Sequence, residues 1–359
     1  MDTSRLQSIQ ALRFAAALAV IAFHLTFLLW DTPFHAWIRP VARNGYAGVD
    51  VFFVISGFII FTVSRKLDWS QGALPAALGF ALRRAVRIYP LYWLCFLVST
   101  VLILTGTAQV VHSVWNLDNW WANAFLINIY NTQVPVAWTL AYEVYFYACF
   151  SVAMLFGPRF HLPALGLWVA GSVVAIGLNY SPSGTPHNPW QVWSNALVLE
   201  FVMGMLVAIL ISRGYRRGAW LALIGSVPFF VLGDSSPESY RAFTFGPAAA
   251  LLVYGLVSLE VQQRLPNMRY LAVLGDASYS LYLWQEIPNY FVRLAFDEMG
   301  WRQVWGGVPA ALTMVAACIL VSLLSYRFIE RPILAASRRL RVPASLLSPS
   351  SAASARTPG

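Results

Sequence analysis

Residues 13–24 read RFAAALAVIAFH, an arginine and a histidine bracketing ten apolar residues within a longer apolar run over 8–30. About 20 residues of helix cross the roughly 30 Å of hydrocarbon in a bilayer, so this run has the length of a membrane span. Eleven residues at 100° each come to about 1100°, roughly 20° past three full turns, which puts Arg13 and His24 on one helix face about 16 Å apart along the axis. Arg13 lies near one end, where it can snorkel or hold an anion. His24 lies deeper, where exposure to lipid is costly. A polar line down one helix face predicts the wall of an internal tunnel. The plainer alternative is a snorkelling arginine and a histidine bonded to a neighbouring helix.

The same pattern of long apolar runs continues through the 359 residues, of which 58% are hydrophobic and 11% charged. Soluble domains carry roughly 25% charged residues, so the expected class is an all-α polytopic membrane protein. Spans are predicted at 8–30, 47–64, 88–106, 137–156, 162–178, 195–212, 219–233, 242–259, 271–292 and 304–326. Their length argues against a β-barrel, whose strands alternate over about ten residues. No small-x-small cleavage site follows the first run, which is therefore read as a retained span. Cys95, Cys149 and Cys318 fall inside apolar runs without metal-ligand spacing, as small packing residues do.

Basic residues cluster on alternate connections. One side takes Arg5, Arg13, the five from Arg65 to Arg87, Arg159, Arg213 to Arg217, Arg264, Arg269 and the six from Arg327 onward; the other takes Arg39, Arg43, Arg241, Arg293 and Arg302. The positive-inside rule then places both termini in the cytoplasm, which an even span count permits. The net charge of +9 is thus a topology signal and gives no support to nucleic-acid binding. Residues 342–359, rich in Ser, Ala and Pro, are expected to be a disordered tail, leaving 1–341 as one transmembrane domain.

Several polar groups fall within or beside these spans. Glu143, in VAWTLAYEVYFYACF, is expected at the depth of His24, where a carboxylate can orient an imidazole and stabilise its charged form. Thr139, Glu143 and Tyr147 share its helix face at i, i+4 spacing. Asp50, in GVDVFFVISGFII, is expected near the outer mouth of the second span, and Gly57 suits close helix packing. Arg84 and Arg87, in RRAVRIYPLYW, point the same way as the third span begins, with Pro90 in or near its first turn. Paired guanidiniums on one face suit phosphates; a positive-inside anchor is the simpler reading.

Together these stretches resemble the acyltransferase type 3 family of integral membrane acyltransferases. The resemblance rests on arginine-x10-histidine in the first span, GVDVFFVISGFII, RRAVRIYPLYW, WTLAYEVYFY, LEFVMGML, LGDASYSLYLW and FIERPIL, in that order. In WTLAYEVYFY in particular it looks like the bacterial exopolysaccharide O-acetyltransferases. The resemblance implies a ten-helix inner-membrane enzyme that moves an acetyl group from cytoplasmic acetyl-CoA, as co-substrate, to a hydroxyl of an exopolysaccharide or lipid-linked sugar. It makes His24 the catalytic histidine, Arg13 its tunnel partner, and Arg84 and Arg87 the arginines that bind acetyl-CoA. Glu143 takes the place of the acidic residue in the tryptophan-containing motif. Many relatives follow SYSLYLW with histidine, where this chain has Gln285. About 16 Å of helix between Arg13 and His24 is comparable to an extended pantetheine arm. Phosphates at the arginines would put a thioester near the histidine, with direct transfer favoured over an acyl-histidine.

The acceptor side is read from Asp50, Trp120, Trp121, Trp138 and Glu286, although boundary aromatics also serve as interfacial anchors. His35, His112, His161 and His187 lie in loops without ligand spacing, so no metal is expected. No P-loop, dinucleotide fingerprint or G-x-S-x-G elbow occurs. The rival class is a transporter or flippase for a lipid-linked sugar or small metabolite, but no internal repeat supports it. An acyltransferase with a non-polysaccharide acceptor is a further alternative. Membrane lipid and polysaccharide-assembly machinery are the expected surroundings.

Overall fold

A computed structural model describes residues 6–105, 120–127, 132–179, 189–237 and 240–337. The tail expected over 342–359 lies outside them, as do His112 and His187. Among the described residues all regular structure is helical. Seven helices are long and apolar enough to cross a membrane, and two shorter apolar helices accompany them at Val198–Ser212 and Ala219–Ser235. The chain is a polytopic membrane protein.

The helices, in chain order, are α1 (Gln7–Leu28), α2 (Pro33–Ala42), α3 (Gly48–Ser64), α4 (Ala73–Leu104), α5 (Trp120–Ala124), α6 (Trp138–Met154), α7 (Gly157–Asn179), α8 (Val198–Ser212), α9 (Ala219–Ser235) and α10 (Arg241–Val261). The last part holds α11 (Arg269–Asp276), α12 (Ser278–Trp284), α13 (Glu286–Glu298), α14 (Trp301–Val304), α15 (Val308–Ser325) and α16 (Arg331–Ser337), the last two joined by a π turn at Tyr326–Glu330.

Two elements differ from the expected spans. α4 begins at Ala73 and runs for 32 residues, about 48 Å at 1.5 Å per residue. Its first half is the arginine-bearing segment, so Arg84 and Arg87 stand mid-helix. Pro90, expected in a first turn, is also interior, a position that membrane helices tolerate where neighbouring groups satisfy the freed backbone. The run 271–292 is interrupted at Ala277 and Gln285, giving three short helices in place of one span. Pro288 falls in the first turn of α13, where its missing N–H is one of the orphan donors anyway.

The interior is built around α3, which packs on α8, α10 and α1. α3 and α8 meet backbone to backbone: a Cβ on Gly57 would lie 1.9 Å from the Phe201 carbonyl oxygen, and one on Gly204 would lie 1.9 Å from that of Val54. Small residues at a membrane-helix crossing permit this approach. α1 is seated by α10. Glu260 accepts hydrogen bonds from the amides of Gln7 (2.7 Å) and Ser8 (2.9 Å) and from the Ser8 hydroxyl. A carboxylate there satisfies orphan N–H groups and complements the helix dipole. Alongside, Gly275 of α11 lets that helix close onto the Gln10 backbone of α1.

Candidate active site

α1, α3, α4, α6, α11 and α12 enclose a cavity of about 650 Å³. Its wall carries Arg13 and Gln10 from α1, Arg84 and Arg87 from α4, Glu143 and Tyr147 from α6, and Asp276 from α11. Ligand pockets of roughly 300–1,000 Å³ are the usual size for small molecules and cofactors. The three arginines anticipated from the sequence thus share one chamber.

Each arginine is held differently. Arg13 Nη1 reaches Gln10 Oε1 at 3.3 Å. Arg87 Nη1 donates to Glu330 Oε1 at 2.8 Å, while Glu330 Oε2 accepts from Ser280 Oγ at 2.7 Å. Arg84 lies 5.5 Å from the Phe80 ring centroid and 5.6 Å from that of Tyr147, within cation–π range. Its Nε is buried with no hydrogen-bond partner. A buried charged donor without an acceptor is costly, and an anion in the cavity would relieve that cost.

Glu143 does not meet His24. Its Oε1 accepts from Ser56 Oγ at 2.9 Å and from the Tyr147 hydroxyl. The expectation from matched depth is corrected by register: the i, i+4 hydroxyl of its own helix is already in reach. His24 instead turns Nδ1 toward the α12–α13 junction, 3.2 Å from Gln285 Oε1 and 3.1 Å from Glu286 Oε1. Glu286 is within ion-pair distance but not aligned as a hydrogen bond, since its Oε1 counts no hydrogen-bond partner. His24 is absent from the cavity wall, but Tyr282 lines that wall and Gln285 follows it by one turn. Tyr282 is held by Thr139 (2.9 Å, hydroxyl to hydroxyl) and packs edge-on against Phe52.

The acceptor-side candidates scatter. Asp50 is fully buried and paired with Arg241, which donates from Nη2 to Oδ2 at 2.6 Å and from Nε to Oδ1 at 3.1 Å. The pair ties α3 to α10 and removes Asp50 from any surface a substrate could touch. Trp120 packs against Phe96 and Trp121, and Trp121 is largely exposed beside Phe125. Trp138 is partly buried against Tyr142, 6.0 Å from the Arg241 guanidinium. Glu286 alone of this group adjoins the histidine. It also borders a small pocket of about 20 Å³ with Gln133 and Tyr290.

Glu330, Gln10 and Asp276 are site residues that sequence reasoning passed over as site residues. Glu330 sits in FIERPIL, and a buried acid one residue before an arginine in an apolar stretch was the available signal. Among the described residues no group of three or more His, Cys, Asp or Glu could hold a metal ion.

The chain matches the acyltransferase domain family over residues 6–327. The chain belongs to the acyltransferase type 3 family. It is an enzyme of the acyltransferase class. A similar protein, the exopolysaccharide production protein ExoZ of Rhizobium meliloti, is 33% identical over 84% of this chain and 93% of its own length. The acyltransferase MdmB of Streptomyces mycarofaciens is 28% identical over 91% of both chains. The peptidoglycan O-acetyltransferase OatA of Listeria monocytogenes is 24% identical over 91% of this acyltransferase and 55% of its own length. No solved structure matches.

Proposed function

We propose that this acyltransferase is an inner-membrane O-acetyltransferase that carries acetyl from cytoplasmic acetyl-CoA to a hydroxyl of an exopolysaccharide or lipid-linked sugar. The observation that carries the reading is the convergence of Arg13, Arg84 and Arg87 on one 650 Å³ cavity, with a buried Arg84 donor left open. Diphosphate and phosphate groups suit such guanidiniums, so these three residues fit the donor's charged end. The near-full-length similarity to an exopolysaccharide production protein favours a polysaccharide acceptor. Ten crossings with both termini in the cytoplasm remain part of the proposal, the tenth supplied by α11–α13 together.

His24 is the general base. It takes the proton of the acceptor hydroxyl as the new C–O bond forms and the thioester C–S bond breaks, and returns that proton to the leaving thiolate. The hydroxyl attacks directly, and no acyl-histidine is needed. Glu143, bonded to Ser56 and Tyr147, shapes the donor chamber and leaves the imidazole to other partners. The test is polysaccharide O-acetyl content in a deletion strain complemented with wild type or His24→Ala, with expression matched by blot. Acetylation restored only by wild type, at normal polymer yield, supports the reading. Full rescue by His24→Ala sinks the base, and failed polymer export with intact acetylation points to a transporter.

A further inference from the structure

Two acceptor oxygens converge on one nitrogen of His24. Gln285 is fully buried, and its Nε2 donates to the Tyr282 carbonyl at 3.0 Å. That bond fixes the amide: turned over, Oε1 would face a carbonyl, acceptor against acceptor. The Gln285 Oε1 that remains, 3.2 Å from His24 Nδ1, can only accept. Glu286 Oε1 stands 3.1 Å from the same Nδ1, and an ionised carboxylate is likewise acceptor-only. An unprotonated Nδ1 would therefore set a lone pair against two oxygens.

From this geometry we infer that Gln285 and Glu286 are positioning residues, holding the His24 proton on Nδ1 so that Nε2 carries the lone pair that takes the acceptor's proton. The inference deepens the reading of His24 as base and rests on it. Neither residue touches the reacting atoms. Gln285 sets the tautomer through a neutral, locked amide, and Glu286 places negative charge beside the ring as it becomes an imidazolium. The partner bond of a catalytic histidine fixes which nitrogen is available, and a wrong tautomer in a serine-protease triad lowers kcat by about 10⁴. Here Gln285 Oε1 still accepts from Nδ1 when the neighbouring charge of Glu286 is removed, so that loss has a smaller effect. For Glu286→Gln the expected fall in kcat is about 10- to 100-fold, the range seen when groups orienting a ligand histidine are removed.

The direct test is nitrogen NMR of the full chain in proteoliposomes, labelled with ¹⁵N-histidine and measured where the imidazole is neutral. The chain has five histidines, so the His24 signals are taken from the difference against His24→Gln. The expected result is a proton-bearing Nδ1 and a bare Nε2 in wild type, with population moving to the Nε2–H form in Gln285→Leu. In kinetics, Glu286→Gln should lower kcat while donor KM stays within about two-fold, a split that general loss of folding would not produce. A bare Nδ1 in wild type, or a tautomer indifferent to Gln285→Leu, overturns the inference even if His24→Ala is inactive. An active His24→Ala overturns the base itself and this inference with it, whatever the NMR shows.

Discussion

Glu330 accepts a 2.8 Å hydrogen bond from Arg87 across 243 residues of chain, fastening the π turn after α15 to the middle of α4. Glu330 is 3% exposed, so Arg84 and Arg87, three residues apart on α4, are not equivalent. Arg87 has a buried counter-charge. Arg84 has an open donor.

Their alanine variants should differ accordingly. Removing one partner of a buried pair strands the other, at a cost of about 3–5 kcal/mol, so Arg87→Ala is expected to lower thermal stability as well as donor affinity. Arg84→Ala should leave the melting temperature nearly unchanged and raise donor KM about 10- to 100-fold, the loss of one or two charge-assisted bonds. Thermal unfolding in detergent and donor titration separate the two effects. Equal melting temperatures for both variants would refute the asymmetry.

Glu143→Gln keeps an oxygen acceptor for Ser56 and Tyr147. Activity is expected within about five-fold of wild type, since a neutral acceptor bond differs from a charged one by roughly 1 kcal/mol. Glu143→Ala frees both hydroxyls and unsettles the Tyr147 ring beside Arg84, and donor KM should rise. If Glu143→Gln proves as inactive as His24→Ala, the carboxylate has a chemical role that its present contacts do not explain.

Asp50→Asn should be a folding variant. Arg241 is 7% exposed, and loss of the opposing charge is expected to cost about 3–5 kcal/mol. Membrane-fraction yield and melting temperature should fall, while molecules that do fold keep their donor KM. A variant that folds normally but loses acceptor affinity would return Asp50 to the substrate site.

Gly57→Ala and Gly171→Ala form a matched pair. The first drives a methyl into the Phe201 carbonyl, whereas a Cβ on Gly171 meets nothing within 4 Å. Overpacking costs typically 1–3 kcal/mol and occasionally more, so Gly57→Ala should lose about 3 kcal/mol, and Gly171→Ala should be neutral or better. Melting curves of the two proteins decide it.

The long apolar helices were readable because hydropathy over about 20 residues is a local property. Arg13, Arg84 and Arg87 were brought together by the family resemblance, and all three line one cavity. Partnership was not readable. Glu143 and His24 were matched by depth alone, but depth leaves rotation about two helix axes open, and Glu143 faces Ser56 instead. Gln285 was noted only as a departure from the histidine of many relatives, and it lies 261 residues from the histidine it contacts. Asp50 looked accessible because its counter-ion, Arg241, is 191 residues away.

The carboxylate that seats the start of α1 belongs to residue 260, 252 positions after Ser8. A ribosome adding about 5–20 residues per second reaches that codon on the order of 10–50 s after the first span has emerged. Through that interval the opening amides of the helix bearing Arg13 and His24 lack their final acceptor. The first helix made is among the last to be locked in place.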